Sequence, residues 1–264
     1  SMPFDGDDEP KGTRHVILDL AEATDGTGVV RDTAMHCVSL SALARSLPHP
    51  SLGDANRDEN QGLSVEVQRQ ALLRFGANEV PCGDHRPAAV KCCHSIFCRG
   101  RARRFAQERR ACERLTPPHV MCKRGGASEF ERVAGTSLVP GDLIHVRIGD
   151  KIPADCRVVK VDIDSETGLP CFQVDQSALT GESQFTTKTT VTETPEAVNR
   201  RNINPNLSQL NLEASNLVFL GTLCADGGAD LLVVKTGSDC MFAILSSLFV
   251  QDSRTVVDFL VLAR

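Results

Sequence analysis

The stretch LVPGDLIHVRIGDKIPADCRVVKVDID, residues 138–164, decides the fold class of this chain. Its Pro140-Gly141 pair predicts a turn, and hydrophobic and polar side chains then alternate over residues 143–148 as in a half-buried strand. Gly149-Asp150 predicts a second turn, followed by another strand over residues 156–163. Short strands joined by tight turns are typical of antiparallel sheets, so this stretch predicts a β fold.

The sequence on either side repeats this pattern. Residues 119–126 predict a strand that runs into a Gly-Gly turn, and residues 171–179 predict a further strand. Residues 216–236 predict a hairpin that turns at Asp226-Gly227-Gly228, and the apolar residues after Ser238 predict a helix that docks on the sheet. We therefore expect a mainly β fold, a distorted antiparallel β domain with flanking helices.

The N-terminal part of the chain has a different character. Residues 1–60 are acidic and show no clean period, which predicts a mostly irregular extension that stands apart from the β domain. A helix is predicted to begin after Ser64, a good N-cap, and to end at Gly76, ahead of a basic linker. The predicted parts are the extension (1–60), the helical segment with its linker (61–118), the β domain (119–250) and the start of a following segment (251–264).

Composition excludes several classes of protein. The chain has 264 residues and a formal net charge of −5, which as a whole does not fit a nucleic-acid binder. No run approaches the roughly 18–20 apolar residues that a membrane-spanning helix needs, and the N-terminus lacks the apolar region of a signal peptide. We therefore expect this chain to be soluble, with its eleven cysteines, mostly scattered singly, as reduced thiols.

One segment, residues 86–110, is strongly basic. It contains eight lysines and arginines but only one acidic residue, Glu108. Two interpretations are open, a solvated basic face and a surface that meets anionic lipid headgroups. Within it, CCHSIFC (residues 92–98) brings three cysteines and a histidine together, but their spacing does not match the paired ligands of structural zinc sites, so no metal is predicted.

The stretch VDQSALTGES, residues 174–183, carries the candidate catalytic residues. A glycine before the carboxylate lets the backbone approach another surface closely. The carboxylate itself could orient a water molecule or accept its proton. Taken alone, a glutamate in a turn is more often simply solvated. The candidate site residues are Thr180, Gly181, Glu182 and Ser183.

Four stretches in the same order resemble the actuator domain of the P-type cation-transporting ATPases: LVPGDLIHVRIGDKIPADCRVV, VDQSALTGES, VFLGTLCADGG and VVKTGSD. Within them, DQSALTGES is most similar to the plasma-membrane proton-pump branch. Residues 61–80, with their FGANE sequence, resemble the cytosolic N-terminal segment of the same family. The resemblance implies a jelly-roll-like actuator fold.

The resemblance also implies a mechanism and partners. In that family an aspartate of a separate phosphorylation domain accepts the γ-phosphate of ATP, and the actuator domain then presents its TGES loop. By resemblance, Glu182 positions the water that hydrolyses the aspartyl phosphate, Thr180 and Gly181 let the loop approach, and Ser183 fixes Glu182. The parent pump would lie in a membrane with this domain on the cytoplasmic side, would use ATP and Mg²⁺, and would supply phosphorylation and membrane domains as partners. No cofactor is expected in this chain.

The chain departs from the family in several places. Residues 184–188 lack the usual proline, residues 81–118 stand where two membrane helices are expected, and the Asp-Lys-Thr-Gly-Thr phosphorylation motif is missing. We therefore expect no ATPase activity from this chain alone. It is either the actuator part of an ion pump or a non-enzymatic actuator-like module that binds a pump or an anionic membrane surface. A free-standing phosphatase would need a nucleophile or a metal cage, and the sequence supplies neither.

Overall fold

The computed structural model describes residues 35–47, 62–80, 112–125, 127–181, 184–193 and 212–251. Here the chain is mostly antiparallel β-sheet with a few helices, which confirms the predicted fold class. The strands are β1 (His119–Lys123), β2 (Glu131–Ala134), β3 (Leu143–Arg147), β4 (Asp155–Val161), β5 (Phe172–Asp175), β6 (Phe185–Thr187), β7 (Leu217–Val218) and β8 (Leu223–Lys235). The helices are α1 (Leu40–Ser46), α2 (Val65–Phe75), α3 (Ser177–Thr180) and α4 (Met241–Gln251).

Strand β8 is the centre of the sheet. Its second half pairs antiparallel with β3 on one side and with β4 on the other, and its first half pairs with β5. The strand order is β2-β1-β3-β8-β4-β7, and β6 pairs with β5. The predicted hairpin at Asp226-Gly227-Gly228 is therefore wrong, because residues 223–235 form one long strand.

The glycines of β8 bend the strand instead of reversing it. Gly227 has a φ of 71°, and a Cβ there would lie 1.8 Å from the carbonyl oxygen of Cys171. The register with β5 also shifts by one residue between Gln173 and Val174. A bulge of this kind re-aims a strand without ending it. The turn signal is thus a local bend, because the residues on both sides of it are held by partner strands.

The second half of β8 is buried on both faces because it lies between two hydrophobic clusters. Leu231 and Val233 belong to the cluster formed with β3, β4 and β5. Leu232 and Val234 belong to a second cluster, with α4 and residues from 212–220. Successive side chains of a strand point to opposite faces, so a strand that contributes to two hydrophobic cores needs an unbroken run of hydrophobic residues. The sequence LLVV in β8 meets that requirement.

Helix α2 follows its sequence signals. The hydroxyl oxygen of Ser64 accepts a hydrogen bond from the N–H of Val67 at 3.4 Å. Gly76 ends the helix with a φ of 77°, and its N–H donates to the carbonyl oxygen of Leu72. Glycine favours this position because it has no Cβ to clash in the left-handed region. The predicted start and end of this helix are confirmed.

Residues 35–47 do not stand apart from the β domain. Val38 and Leu43 are fully buried in the same cluster as Phe242 of α4. For these residues the structure differs from the detached, irregular extension expected over residues 1–60, because α1 buries its apolar side chains against the domain. The rest of that predicted extension lies outside the described residues.

A buried asparagine just after α2, Asn78, hydrogen-bonds to three separate loops. Asn78 is fully buried, and its Nδ2 donates to the carbonyl oxygens of Gly135 at 3.1 Å and Pro153 at 2.9 Å. Its Oδ1 accepts the N–H of Gly237 at 2.9 Å. One side chain therefore satisfies three buried backbone groups and ties α2 to the sheet.

Candidate functional site in the loop after β5

Strand β5 enters the candidate loop through a single helical turn, α3. The carboxylate of Asp175 accepts a hydrogen bond from the N–H of Ser177 at 2.9 Å, at the start of the turn. The N–H of Gly181 donates to the carbonyl oxygen of Ser177 at 2.9 Å and closes it. The predicted strand over residues 171–179 is thus shorter than expected, since it ends at Asp175.

Thr180 and Gly181 lie at the end of α3. The hydroxyl of Thr180 donates to the carbonyl oxygen of Gln176 at 3.2 Å, and Leu179 anchors the turn in the hydrophobic core. Gly181 is exposed and left-handed, with φ 75° and ψ 0°, and a Cβ there would meet nothing within 4 Å. Backbone conformation therefore favours glycine at this exposed position.

The other two candidate residues, Glu182 and Ser183, lie outside the described residues. The structure thus places Thr180 and Gly181 next to each other at the end of α3. The catalytic roles predicted for all four residues stay predictions.

The return from the loop is strand β6. Asp175 of β5 lies opposite Phe185 of β6 on one side and Leu223 of β8 on the other. Phe185 is 61% exposed and Leu223 is 39% exposed. Residues 184–188 lack the proline usual in the family, and residues 185–187 of this stretch form the strand. Two exposed apolar side chains therefore flank the base of the loop.

Two buried polar side chains at the ends of the loop were not predicted. Gln176 donates from Nε2 to the carbonyl oxygen of Leu212 at 3.1 Å. Lys188 donates from Nζ to the carbonyl oxygen of Ala214 at 2.9 Å. A lysine in a polar stretch is normally solvated, so the sequence offers no signal for its burial. Both acceptors lie in residues 212–214, far from these side chains in the sequence, so the two side chains become internal through the tertiary fold.

A second cluster of titratable groups surrounds His145 of β3, with Asp230 of β8 and Asp162 just after β4. Nδ1 of His145 is 2.8 Å from Oδ1 of Asp230, and Nε2 of His145 is 3.8 Å from Oδ2 of Asp162. Arg147 donates from Nε to Nε2 of His145 at 3.2 Å, which leaves the ring proton on Nδ1, facing Asp230. These groups pair with one another, so we assign no reaction to them.

Burial shifts the pKa values of several side chains. Desolvation raises the pKa of the Cys224 thiol to about 12, and it raises the pKa of Cys156 and of Cys240 well above the ordinary value. Burial likewise lowers the pKa of the fully buried Arg157 to about 10. A thiol with a raised pKa stays neutral at pH 7 and is a poor nucleophile, so these cysteines do not fit covalent catalysis.

The described residues contain no group of three or more side chains that could hold a metal ion, and none of their helices is long and apolar enough to cross a membrane. Six of the described cysteines are free, but Cys112 is disulfide-bonded, so the expectation of reduced thiols does not hold there. The basic segment, residues 86–110, with its CCHSIFC stretch, lies outside the described residues.

Comparison with known proteins matches residues 114–249 to the family described as the P-type ATPase actuator domain. Calcium-transporting ATPase 1 of Yarrowia lipolytica is 37% identical over 147 residues, which cover 52% of this chain and 13% of that protein. Calcium-transporting ATPase 1 of Saccharomyces cerevisiae is 35% identical over 144 residues, 52% of this chain and 14% of that protein. An endoplasmic reticulum calcium ATPase of Aspergillus fumigatus is 35% identical over 108 residues, 41% of this chain and 9% of that protein.

The chain thus spans between 9% and 14% of the length of these relatives. Among solved structures, a zinc-transporting PIB-type ATPase in the E2·Pi state is 25% identical with a TM-score of 0.36, and the match covers 55% of this chain and 19% of that one. The three relatives are named as calcium pumps, so the expected similarity to the proton-pump branch in particular is not supported.

Proposed function

Because the chain belongs to the P-type ATPase actuator domain family, we propose that residues 114–249 act as the actuator domain of a cation-transporting ATPase. The observation that carries this proposal is the turn at Thr180-Gly181. A left-handed, exposed glycine ends a one-turn helix and stands directly before Glu182 in the sequence. That arrangement suits a loop whose backbone must approach another domain.

In the proposed reaction, the carboxylate of Glu182 orients a water molecule towards an aspartyl phosphate on a separate phosphorylation domain and accepts the proton of that water. Gly181 allows the close approach, and Thr180 holds the turn through its hydrogen bond to Gln176. Ser183 supports Glu182. General-base groups of this kind contribute about 10²–10⁴-fold to a rate.

ATP and Mg²⁺ act elsewhere in the proposed pump. The described residues hold no group of three or more side chains that could bind a metal ion, and the sequence has no P-loop. ATP with Mg²⁺ would supply the phosphoryl group in another domain. This chain would act only in the later hydrolysis step.

We propose calcium as the transported cation, because the three relatives reported above are named as calcium ATPases. The parent protein would lie in a membrane with this domain on the cytoplasmic side. Its partners would be the phosphorylation and membrane domains of the same pump. The basic segment, residues 86–110, would lie against anionic lipid headgroups.

A chimaeric pump tests the proposal. Residues 114–249 would replace the matching domain of calcium-transporting ATPase 1 of Saccharomyces cerevisiae. Phosphoenzyme would be formed from labelled ATP, chased with unlabelled ATP and followed as it decays. Glu182→Gln should leave formation intact and slow the decay about 10²–10⁴-fold. Glu166→Gln, which changes an exposed carboxylate in the turn after β4, is the matched control and should decay normally.

Equal decay in Glu182→Gln and in the unchanged chimaera would contradict the role of this carboxylate. If the unchanged chimaera forms phosphoenzyme that never decays, residues 114–249 do not act as an actuator domain. That result would favour the alternative, a non-enzymatic module that binds a pump or an anionic membrane surface.

A further inference from the structure

The loop between β5 and β6 is tied at both ends to one short segment, residues 212–216. Gln176, just before α3, donates to the carbonyl oxygen of Leu212 at 3.1 Å. Lys188, just after β6, donates to the carbonyl oxygen of Ala214 at 2.9 Å. The two acceptors are two residues apart in the sequence. The entry and the exit of the loop therefore share one support.

Both donor side chains are inside the protein. Gln176 is 3% exposed and Lys188 is 1% exposed. The Oε1 atom of Gln176 is buried and has no hydrogen-bond partner among the described residues. Burying an amide with an unpaired oxygen, or an ammonium group, costs free energy that an apolar side chain of the same size would not. What these side chains provide that an apolar side chain would not is a directed hydrogen bond, since each donates to a particular carbonyl oxygen.

The 212–216 segment is itself held firmly. The N–H of Thr189 donates to the carbonyl oxygen of Ser215 at 2.8 Å, and Nδ2 of Asn216 donates to the carbonyl oxygen of Val191 at 2.7 Å. Leu212 and Ala214 are also buried in the hydrophobic core. The support thus belongs to the buried core of the domain, whereas the loop end at Gly181 is exposed.

We propose that Gln176 and Lys188 are positioning residues for the TGES loop. With the 212–216 segment they form a clamp that sets the direction in which the loop leaves the domain. Being buried, they act through the loop and not by touching a second domain. The effect on hydrolysis rests on the proposed function, whereas the clamp itself can be measured in this chain alone.

Amide hydrogen exchange on the full 264-residue chain tests the clamp. Gln176→Met and Lys188→Met keep the side-chain length and remove the donor. Each should speed exchange over residues 177–187 about tenfold, while β3 and β4 exchange as before. Asn78→Leu is the matched control, because it removes a buried amide that also donates to carbonyl oxygens. It should not change exchange over residues 177–187.

Phosphoenzyme decay in the chimaeric pump tests the positioning role. Gln176→Met and Lys188→Met should slow decay about tenfold or more while phosphoenzyme formation is kept, because a small misplacement of a catalytic group lowers rates strongly. Glu166→Gln, the exposed control within residues 114–249, should decay normally. Lys188→Arg keeps a buried cation and should recover part of the rate, which a loss of stability alone would not produce.

Each outcome decides between the two proposals. Unchanged exchange over residues 177–187, or exchange that rises equally across the whole domain, overturns the clamp. Faster exchange with normal decay overturns the positioning role. If Lys188→Met does not fold, Gln176→Met gives the same readings from the other end of the loop. Slow decay in the clamp variants with normal decay in Glu182→Gln would support the clamp and reject only the carboxylate.

Discussion

Arg124 and Asp142 form a two-bond ion pair between the end of β1 and the turn before β3. Nε of Arg124 lies 3.0 Å from Oδ1 of Asp142, and Nη2 lies 2.5 Å from Oδ2. Asp142 is fully buried, and its Oδ2 also accepts the N–H of Val139 at 2.9 Å. A guanidinium matches a carboxylate in this two-bond geometry. The pair therefore fixes the Pro140-Gly141 turn against β1.

Removing the cation of this pair should destabilise the domain. Arg124→Met leaves the Asp142 carboxylate buried without its partner, and the free energy of unfolding should fall by about 3 kcal/mol. Arg132→Met changes an exposed arginine on β2 and should shift it by no more than about 0.5 kcal/mol. Urea unfolding followed by circular dichroism measures both variants. Equal effects would show that the ion pair contributes nothing beyond a surface charge.

Helix α1 should contribute to the stability of the β domain. Leu43 is fully buried, so Leu43→Ala should lower the free energy of unfolding by about 2–5 kcal/mol through lost contacts and a cavity. Leu73 of α2 is 80% exposed, and Leu73→Ala is the control, with an expected change within about 0.5 kcal/mol. The two variants can be compared in the same urea titration. A mild effect at Leu43 would mean that residues 35–47 detach in solution.

The left-handed glycine before Glu182 should be replaceable only by residues that tolerate its backbone conformation. The added Cβ of Gly181→Ala meets no atom within 4 Å among the described residues, so its cost is the strained φ of 75°, about 1 kcal/mol or more. Gly181→Asn should cost less, because asparagine adopts this conformation more readily. Thermal unfolding of both variants tests whether alanine destabilises the domain more than asparagine does. A larger loss for asparagine would show that size, not conformation, limits this position.

Stability should fall in alkaline solution because of the buried thiols. The pKa values of Cys156, Cys224 and Cys240 are raised by burial in the folded chain, so their contribution is present below about pH 9 and lost as the pH rises further, when the unfolded chain ionises first. Each such thiol adds a slope of about 1.4 kcal/mol per pH unit.

Urea titrations between pH 7 and pH 10 measure this slope, and Cys156→Ala should make it shallower. The range stops there because the pKa of Arg157 is lowered by burial to about 10, and above that pH its titration would act in the opposite direction. A free energy of unfolding that does not change up to pH 10 would contradict the raised thiol pKa values.

The basic segment, residues 86–110, should bind anionic membranes. Each lysine or arginine near an anionic bilayer contributes about 1 kcal/mol, and salt screens the attraction. Co-sedimentation of this chain with phosphatidylserine vesicles should therefore exceed that with phosphatidylcholine vesicles and should fall as salt rises. Replacing Arg101, Arg103 and Arg104 with glutamine should weaken it, whereas the same change at Arg69, Arg114 and Arg132 should not. Equal binding to neutral vesicles would exclude this role.

Local patterns in the sequence account for much of the fold and for the position of the candidate site. The turns around residues 138–164, the alternation in β3, the cap at Ser64 and the stop at Gly76 depend on neighbouring residues, and the structure contains each of them. The VDQSALTGES stretch likewise predicted the position of the loop, and in the structure Thr180-Gly181 ends a helical turn there. Such features survive without a partner because a few adjacent residues determine them.

The sequence by itself therefore determined the fold class, the family and the place of the loop, while only the tertiary structure decided which residues support that loop. Asp226-Gly227-Gly228 became a bend because partner strands hold β8 on both sides. Lys188 became buried, and its Nζ donates to the carbonyl oxygen of Ala214, 26 residues further along the chain. Burial depends on contacts between residues far apart in the chain, and no local pattern of charge or hydrophobicity encodes those contacts.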